Sequence, residues 1–342
     1  MNLLAIVILN YNGRSYLEKF LPSVLAYSDN HPIYIADNAS VDDSVSWLRT
    51  HYPQVHLVQL PTNLGFAEGY NVALKHIRAK YYCLLNSDVE VCPDWTKPLL
   101  EVLEKEPSVA AVQPKILSYY RKNHFEYGGG VGGYIDPMGY AFTRGRIFDF
   151  CEDDINQYDD AVECFWACGA CMIIRSELYH CLGGLDSDFF AHMEEIDLCW
   201  RIQMAGYSIY AIGSSTVYHV GGGTLNYHNA RKAFLNFRNS LAMLYKNIPG
   251  NQLVWKIFLR LVLDGVAGIK FLLQGSPEGC WAVARAHFNF YRNFPLWYKK
   301  RRALKSIRTS KMPNTVYPRS ILKEYFFLGK RTYSSLNEHV GE

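Results

Sequence analysis

Polar side chains suited to a metal ion end an apolar run in the stretch CLLNSDVEV, residues 83–91. Asn86 and Asp88 follow residues typical of a buried strand, and Glu90 comes two positions later. Carboxylate and amide oxygens bind hard divalent cations, which also bridge to phosphate oxygens. The spacing therefore indicates a metal ion that holds a phosphate-bearing substrate. Glu90 is expected to point into solvent, with indirect support of the metal ion as the alternative.

A second pair of carboxylates, Glu194 and Glu195, opens a segment whose apolar residues have helical spacing. Two adjacent carboxylates raise each other's proton affinity, which favours a base that works near neutral pH. The alternative is structural, because the N-terminus of a helix attracts negative charge.

Strand and helix patterns alternate through the first 91 residues, which predicts a parallel sheet covered by helices on both faces. Ligands of such sheets bind beyond the carboxyl ends of the strands. One polar residue there is a common turn or cap, but four together indicate a site. These four are Asn10, Asp37, Asn63 and Asp88. The strands are predicted at residues 3–13, 32–40, 55–61 and 81–91, and the helices at 15–27, 42–52 and 66–79.

The pattern is less regular beyond this point. Residues 118–160 are rich in Gly, Tyr and Asp, which predicts a long irregular segment, either a mobile loop over the site or a plain surface loop. A strand and a helix are predicted again within residues 165–179. His219 follows a short predicted strand and precedes glycines at 221–223, where backbone can approach a phosphate closely. A structural His is the equal alternative.

Composition is that of a globular protein with charge divided between its two ends. The 342 residues are 49% hydrophobic and 20% charged, so the chain can bury a substantial core. Residues 1–250 hold 19 Lys and Arg against 27 Asp and Glu, whereas residues 251–342 hold 16 against 5. A basic end suits an anionic membrane surface or nucleic acid. Nucleic acid is not expected, because no recognition motif accompanies the charge.

Cysteine usage predicts a reducing compartment. The nine cysteines are scattered without a disulfide framework and no signal peptide is predicted, so we expect a cytoplasmic protein. The sequence has no run of ~20 uncharged apolar residues, so a helix that spans a membrane is not predicted. Zinc ligation is the alternative for the cluster in residues 164–181, but the segment has the pattern of a strand entering a helix, which favours buried free thiols. The cluster comprises Cys164, Cys168, Cys171 and Cys181.

Six stretches, in this order and at these spacings, resemble glycosyltransferase family 2: IVILNYNG, IADNASVDDS, NLGFAEGYN, LLNSDVEV, GGLDSDFFAHMEEIDLCWR and YHVGGG. The similarity is greatest to the rhamnosyltransferase-like bacterial branch and covers about residues 3–245. The resemblance implies an α/β chain with the GT-A fold, a mixed and mostly parallel sheet with helices on both faces. It also implies transfer of a sugar from a nucleotide diphosphate to a hydroxyl, with inversion at the anomeric carbon and with Mg²⁺ or Mn²⁺ as cofactor.

The resemblance assigns roles to individual residues. Asp88 would bind the metal ion with His219, and Asp37 would accept a hydrogen bond from a pyrimidine ring. Glu195 would be the general base, one methylene longer than the family's usual Asp, with Glu194 as second candidate. The nucleotide-binding residues would be Asn10, Tyr11, Asn12, Asp37, Asn63, Gly65, Asn71 and Asn86, and the acceptor-side residues Trp166, Gly169, Ala170, Asp197 and Arg201. Arg238-Asn239 also matches this branch, without an assigned role.

The chain is expected to divide at residue 245. Residues 1–245 would form the catalytic domain, with a nucleotide-binding half of about 1–117 and an acceptor half of about 118–245. Residues 246–342 are predicted to hold amphipathic helices with wide apolar faces and a narrow charged stripe. Such helices suit a membrane interface, where basic residues attract anionic lipid, or packing on the catalytic domain or on a second subunit of a homo-oligomer. The first stripe comprises Lys256, Arg260, Asp264 and Lys270.

Taken together, the motifs predict a metal-dependent inverting glycosyltransferase at the inner face of the plasma membrane. The expected donor is a dTDP- or UDP-sugar, with dTDP-rhamnose first, and the acceptor a surface polysaccharide or lipid-linked glycan. A nucleotidyltransferase is one alternative, although its usual Gly-rich phosphate loop is reduced here to Gly13. A non-catalytic nucleotide-binding scaffold is the other, favoured by the replacement of the usual Asp by Glu195.

Overall fold

The computed structural model describes residues 2–221, 230–309 and 311–336. Gly222 and Gly223, part of the predicted glycine run, lie outside these ranges. The strands are β1 Asn2–Asn10, β2 Ile33–Asp37, β3 His56–Gln59, β4 Ala79–Asn86, β5 Val89–Val91, β6 Val109–Ser118, β7 Phe125–Gly130, β8 Gly133–Ile135, β9 Ala141–Thr143, β10 Arg146–Ile147, β11 Phe150–Cys151, β12 Ala161–Glu163, β13 Cys171–Arg175 and β14 Ser208–His219. The α-helices are α1 Arg14–Tyr27, α2 Ser44–His51, α3 Gly65–Leu74, α4 Thr96–Lys105, α5 Ser176–Cys181, α6 Glu194–Met204, α7 Ala230–Asn247, α8 Leu253–Leu273, α9 Pro277–Arg292, α10 Phe294–Ala303 and α11 Ile321–Phe326.

One large mixed sheet takes strands from both predicted halves of the catalytic domain. Its order is β12-β14-β6-β13-β4-β1-β2-β3, with β5 paired to β14 and β7 to β6. β1 is parallel to β2 and β4, whereas β13 lies antiparallel between β4 and β6. β1 and β4 are buried along most of their length, which explains their continuous apolar sequences. The predicted mixed, mostly parallel sheet with helices is confirmed.

Parallel pairing brings the polar strand ends to one edge of this sheet. Asn10 pairs with Asp37 in the register of β1 and β2. Leu9, one residue earlier, pairs with Asn86 at the end of β4. The carboxyl ends of three neighbouring strands therefore meet, as the alternation of strands and helices predicted.

The single strand predicted for residues 81–91 is wrong. β4 ends at Asn86, and the chain turns through Ser87 and Asp88 before β5, which pairs antiparallel with β14. Val89 lies opposite His219 in that pairing. Because the turn takes the chain away from the line of β4, it places Asp88 beside the end of β14.

The irregular segment predicted for residues 118–160 is also wrong. These residues form β7 to β11, of which β8 to β11 make a small antiparallel sheet. Their glycines permit close packing: a Cβ on Gly133 would lie 1.9 Å from the Trp166 ring. Composition suggested a loop because glycine serves both loops and close backbone contacts.

The first C-terminal amphipathic helix, α8, is present, and most of its charged stripe lies inside the protein. Lys256, Arg260 and Asp264 are buried. Arg260 Nε donates to Asp264 Oδ1 at 2.7 Å, and His287 Nε2 lies 3.2 Å from Asp264 Oδ2. The predicted attraction of this stripe to anionic lipid is therefore wrong for its buried members, because their charges lie inside the protein; only Lys270 is exposed.

The cysteines of the 164–181 cluster carry free thiols. Cys164, Cys168 and Cys171 are buried, as predicted, whereas Cys181 is exposed. Across residues 2–221, 230–309 and 311–336, no three His, Cys, Asp or Glu side chains converge as a metal site would require. The zinc alternative therefore gains no support from the described structure.

Candidate active site

The edge formed by β1 and β2 carries a hydrogen-bonded polar cluster. Asn10 Nδ2 donates to Asp37 Oδ1 at 3.0 Å and to Ser40 Oγ at 3.1 Å. Asp37 Oδ2 accepts from the Ser40 backbone N–H at 3.0 Å. Asn10 and Asp37 are buried, and no described residue forms a hydrogen bond with Asn10 Oδ1. Since buried polar atoms are normally paired, this oxygen is suited to a donor from a ligand.

Tyr11 and Asn12 continue the cluster toward solvent. Asn12 has a left-handed backbone, φ 52°, and its Oδ1 accepts from the Val41 N–H at 2.8 Å. Ala39, on the facing loop, is also left-handed at φ 60°. Such residues are uncommon outside glycine and concentrate at ligand sites. Tyr11 is 44% exposed next to this polar pair, so its ring is available for stacking.

Asn63 and Gly65 belong to an adjoining cluster centred on Asn38, which the sequence analysis missed. Asn38 Nδ2 donates to Asn63 Oδ1 at 3.1 Å and to the Gly65 carbonyl at 2.9 Å. Gly65 has φ +77°, and a Cβ there would lie 2.6 Å from the Phe190 ring. The start of α3 therefore packs against the loop that precedes α6. Asn38 directly follows Asp37, so its place beyond a strand end was a usable signal.

Asn71 is separate from the other nucleotide-binding candidates. Its Oδ1 accepts from Tyr179 Oη at 2.7 Å and from Leu185 N at 3.0 Å. Its Nδ2 donates to the Leu185 carbonyl at 2.8 Å. Asn71 also lines a cavity of about 520 Å³ whose described walls include Asp186 and Lys300 but not Asn10 or Asp37. The prediction for Asn71 is therefore corrected: its side chain holds the segment before α6 and does not join the cluster at Asn10.

Asp88 and His219 meet at the turn after β4. His219 Nε2 lies 3.2 Å from Asp88 Oδ1, and its Nδ1 lies 3.4 Å from Glu126 Oε2. Asn86 Nδ2 lies 3.4 Å from His219 Nε2. Burial opposes the charged imidazole, but the carboxylates of Glu126 and Asp88 outweigh it and raise the pKa of His219 to about 10. Glu126 was missed, because it lies in the stretch misread as irregular.

A carboxylate and an imidazole form a donor set that fits a divalent cation. Glu126 faces the second nitrogen of His219, the position from which a carboxylate fixes the ring of a metal-binding His. Asp88 and His219 supply two ligands, and within the described part of the chain no third His, Cys, Asp or Glu joins them. Diphosphate and water oxygens would complete such a site. Glu90 lies outside it, paired with Lys122, as predicted for a solvent-facing residue.

Glu194 and Glu195 stand at the start of α6 with unpartnered carboxylate oxygens. Oε2 of each is buried and has no hydrogen-bond partner within residues 2–221, 230–309 and 311–336. Burial raises the pKa of Glu195 to about 7. Burial, and then the charge of Glu195, raise the pKa of Glu194 well above its ordinary value. As whole residues, Glu194 is buried and Glu195 is partly exposed.

A strained loop delivers these glutamates. Phe190, His192 and Met193 have φ of 67°, 71° and 73°. Asn239 Nδ2 lies 3.0 Å from the Phe189 carbonyl and 2.8 Å from that of His192. Strain of this kind persists only where surrounding contacts impose it. Asn239, which had no assigned role, and its neighbour Arg238, which donates to the Asp188 and Phe189 carbonyls, impose it here.

The family described as Glycosyl transferase family 2 matches residues 5–183, slightly more than half of the chain. The chain belongs to glycosyl transferase family 2. The predicted family is confirmed, and with it the class of enzyme for which the family is named.

Relatives of this family 2 chain are similar at low identity. An uncharacterized protein of Sinorhizobium fredii is 24% identical over 250 residues, which are 70% of this chain and 27% of that protein. An N-acetylglucosaminyl-diphospho-decaprenol L-rhamnosyltransferase of Mycobacterium tuberculosis is 24% identical over 249 residues, 65% of this chain and 78% of the relative. The chain thus spans about a quarter of the first protein and most of the second.

A solved structure supports the fold. The crystal structure of GalNAc-T7 with UDP, GalNAc and Mn²⁺ superposes with a TM-score of 0.55 at 15% identity, covering 72% of this chain and 48% of that one. The predicted GT-A fold is confirmed. At this identity the likeness concerns the fold alone.

Of the predicted acceptor-side residues of this family 2 chain, Gly169 and Ala170 lie near the candidate site, whereas Trp166 is buried away from solvent. Gly169 lies beside the candidate base, since a Cβ on it would be 3.8 Å from Glu195 Cβ. Ala170 is joined to the metal end, because its carbonyl accepts from the Asn86 N–H at 2.9 Å. Trp166 is buried and donates from Nε1 to the Tyr134 carbonyl at 3.1 Å. The expectation that Trp166 faces an acceptor is therefore wrong: its ring packs on Gly133.

Asp197 and Arg201 are also corrected from acceptor contacts to buried structural charges. Arg201 Nε donates to Asp197 Oδ2 at 3.0 Å. Lys246 Nζ lies 2.9 Å from Asp197 Oδ1, and Asn247 Nδ2 donates to the same oxygen at 2.8 Å. This network ties α6 to α7. The charges resemble site residues in sequence because a buried ion network and a polar site use the same residue types.

Proposed function

We propose that this chain is a metal-dependent, inverting glycosyltransferase. It moves a sugar, with rhamnose favoured, from a pyrimidine nucleotide diphosphate donor to a hydroxyl of a surface polysaccharide or lipid-linked glycan. Family membership sets aside the nucleotidyltransferase alternative.

The observation that carries the proposal is the state of Glu195. Its pKa of about 7 and its unpartnered Oε2 describe a carboxylate that is able to take a proton at neutral pH. Gly169 lies beside it, next to the Phe66 ring, and the backbone hydrogen bond from Asn86 to Ala170 joins this segment to the strand end that precedes Asp88. A base and a phosphate-binding end are thus held on one framework.

The reaction assigns a step to each group. Glu195 takes the proton of the acceptor hydroxyl, and the oxygen attacks the anomeric carbon from the face opposite the leaving group. The bond from that carbon to the diphosphate breaks with its electron pair, so the product has inverted configuration. The acceptor hydroxyl would lie on the Gly169 side of Glu195. Asp37, fixed by Asn10 and Ser40, accepts from the base of the nucleotide, and Tyr11 stacks on it.

Asp88 and His219 are the residues that would hold the cation, with Glu126 orienting the imidazole. A bound Mg²⁺ or Mn²⁺ neutralises charge that develops on the departing diphosphate. The imidazole nitrogen favours Mn²⁺, the softer of the two ions.

The choice of donor and acceptor is supported by a relative's name. The Mycobacterium tuberculosis protein is named a rhamnosyltransferase acting on a diphospho-decaprenol carrier, and it aligns over 65% of this chain. We therefore place dTDP-rhamnose first among donors and a polyprenyl-diphosphate-linked sugar first among acceptors.

The test has two stages. Thermal shifts with dTDP, UDP, GDP, CDP and ADP, each with and without Mn²⁺, identify the nucleotide, because a ligand bound only by the folded state raises the melting temperature. Turnover of the matching nucleotide sugar with a lipid-linked acceptor follows, and NMR of the product gives the anomeric configuration. We expect a Mn²⁺-dependent shift with dTDP or UDP and an inverted product.

Each stage has an outcome that contradicts the proposal. Binding without turnover of any donor would favour the non-catalytic scaffold. A retained anomeric configuration would exclude Glu195 as the base of a single displacement. No shift with any of the five nucleotides would remove the nucleotide site itself.

A further inference from the structure

Helix α8 presents its apolar side to the outside of the protein. The helix has 21 residues, which gives a length of roughly 30 Å at about 1.5 Å per residue. Its exposed large side chains recur every three or four residues and form one stripe. The stripe comprises Val254, Phe258, Val262, Val266, Ile269 and Leu273, flanked by Trp255, Leu259 and Leu272. An exposed apolar patch of this extent marks an interaction site.

The fold fixes this orientation from the inside. Arg260 is buried, pairs with Asp264, and donates from Nη1 to the Met138 carbonyl at 3.1 Å. Its guanidinium lies 4.2 Å from the Tyr140 ring centroid. Rotating α8 to bury the stripe would expose or break these contacts. The outward apolar stripe is therefore built into the fold.

Neighbouring elements extend the stripe into a wider surface that includes aromatic and basic side chains. On α9 the exposed residues Trp281, Arg285, Phe288 and Arg292 follow one another at helical spacing on a single face. Exposed Phe326, Phe327 and Leu328 lie at the end of α11, and Lys270 Nζ of α8 is 4.7 Å from the Phe326 ring centroid. We call α8, α9 and residues 326–328 the outer apolar surface.

The charge of the C-terminal part decides between two occupants of this surface, a second copy of the chain and an anionic surface. Within residues 251–309 and 311–336, Glu278 is the exposed acidic residue. The exposed basic residues of the same ranges are Lys270, Arg285, Arg292, Lys299, Arg302, Lys305, Lys311, Arg319, Lys323 and Arg331. On the outer apolar surface itself the exposed charges are Lys270, Arg285 and Arg292 against Glu278, with Asp149 near Lys270. Two copies of this chain would bring this excess of positive charge together, which opposes association. An anionic surface would neutralise them.

We propose that the outer apolar surface docks on an anionic lipid bilayer, with α8 lying in the plane of the interface. The apolar stripe enters the acyl boundary, Trp255 and Trp281 lie at the headgroup level, and Arg285 and Arg292 contact lipid phosphates. Among the described helices, none is long and apolar enough to cross a membrane. The predicted membrane-interface helix is proposed here with different basic residues, because Lys256 and Arg260 of α8 are buried whereas Arg285 and Arg292 of α9 are exposed. The contact does not depend on the proposed reaction.

Vesicle co-sedimentation of the full chain tests the proposal. The vesicles are phosphatidylcholine alone, or phosphatidylcholine with phosphatidylglycerol. We expect wild type to bind the anionic vesicles at least on the order of tenfold more tightly, because each Lys or Arg near an anionic surface adds attraction. Phe258→Glu with Ile269→Glu, at side chains 68% and 58% exposed, should weaken binding by at least about tenfold without unfolding the chain.

A matched variant and an assembly measurement keep the test decisive. Tyr120→Glu with Ile155→Glu adds the same charge at residues 72% and 76% exposed outside this surface and should leave binding unchanged. Circular dichroism checks that both variants fold. Unchanged vesicle binding by the Phe258/Ile269 variant would overturn the proposal. So would light scattering that finds a dimer broken by this variant while wild type ignores vesicles, since the occupant would then be a second copy.

Discussion

The side chain of Asn239 lies 2.8 Å from the carbonyl oxygen of His192, two residues before Glu194. The same amide nitrogen lies 2.9 Å from the Ala191 carbonyl. A residue on α7 thereby holds the backbone that sets the position of the candidate base. This contact joins α7 to the loop that carries the candidate base.

Replacing Asn239 by Asp should lower kcat by roughly 100-fold, because a carboxylate opposes the carbonyl oxygens and lets the glutamates shift by an ångström or so. KM for the nucleotide sugar should change little, since the cluster at Asn10 is separate. Steady-state kinetics measure both constants. Asn293→Asp, an amide on the loop after α9 that donates to Asn289, is the control. A rise in KM without a fall in kcat would contradict this positioning role.

Glu195→Gln should abolish transfer, with kcat reduced by at least about 100-fold, because it removes the base and keeps the shape. Nucleotide and Mn²⁺ affinities should stay near those of wild type, as measured by isothermal titration. Glu194→Gln should be milder, since Glu194 as a whole residue is buried and Glu195 is partly exposed. The reverse ranking of the two variants would move the base to Glu194.

The pKa of Glu195, raised to about 7 by burial, predicts two pH effects of opposite sign. Activity should fall as pH drops below about 7, because the base becomes protonated. Stability should fall as pH rises from about 4.5 to about 7, because the folded state binds the proton more tightly than the unfolded state. A pKa raised by this amount corresponds to roughly 3 kcal/mol at most.

Unfolding of wild type and Glu195→Gln in urea, at pH 4.5 and pH 8, measures the stability effect. The free energy of unfolding of the variant, relative to that of wild type, should be higher at pH 8 than at pH 4.5, because Gln has no charge to bury. Equal differences at both pH values would show that the carboxyl titrates with an ordinary pKa.

Glu126→Gln should weaken Mn²⁺ binding by about 10- to 100-fold, because the carboxylate that orients His219 loses its charge. Titration of Mn²⁺ into the nucleotide complex measures this. Glu152→Gln is the control, because Glu152 is another buried carboxylate, which accepts hydrogen bonds from the Tyr158 hydroxyl and the Tyr333 N–H. This change should leave the affinity for Mn²⁺ unchanged. If Glu126→Gln bound Mn²⁺ like wild type, Glu126 would have no part in orienting His219.

Asp264→Leu should destabilise the fold by about 3–5 kcal/mol, because Arg260 would remain buried without its partner. Combining it with Arg260→Met should recover most of the loss, since a matched apolar pair avoids an unpaired charge. Denaturant unfolding measures both. An exposed pair, Lys80 and Glu104, provides the contrast, and Glu104→Leu should destabilise the fold far less than Asp264→Leu.

The first part of the fold could be predicted from the sequence because its strands and helices are marked by local patterns of apolar and polar residues. Apolar runs ending in Asn10, Asp37 and Asn86 predicted parallel strands with polar ends, and pairing places those ends together. Prediction failed where one residue type serves two purposes. Glycine near Gly133 allowed a buried contact with Trp166, and the carboxylate of Asp197 balanced Arg201 instead of meeting an acceptor.

Which side of α8 faces the protein could not be predicted from the sequence for a similar reason. A helical wheel separates Arg260 and Asp264 from the apolar residues, but it does not state which side faces the protein. Glu126 and Asn38 were missed because their roles arise only when distant strands meet, at His219 and at Asn63.

The pairing of β5 with β14 has a consequence for folding. Asp88 and His219 are about 130 residues apart in the chain, and their contact requires β14 to dock beside β5 and β6. Contacts of such long sequence separation form late in folding, because the chain loses loop-closure entropy before the contact contributes any stabilisation. A chain still being synthesised, with β1 to β4 already in place, would hold half a metal site. Binding of the proposed cation would therefore require that β14, the last strand of the sheet in chain order, has already paired with β5 and β6.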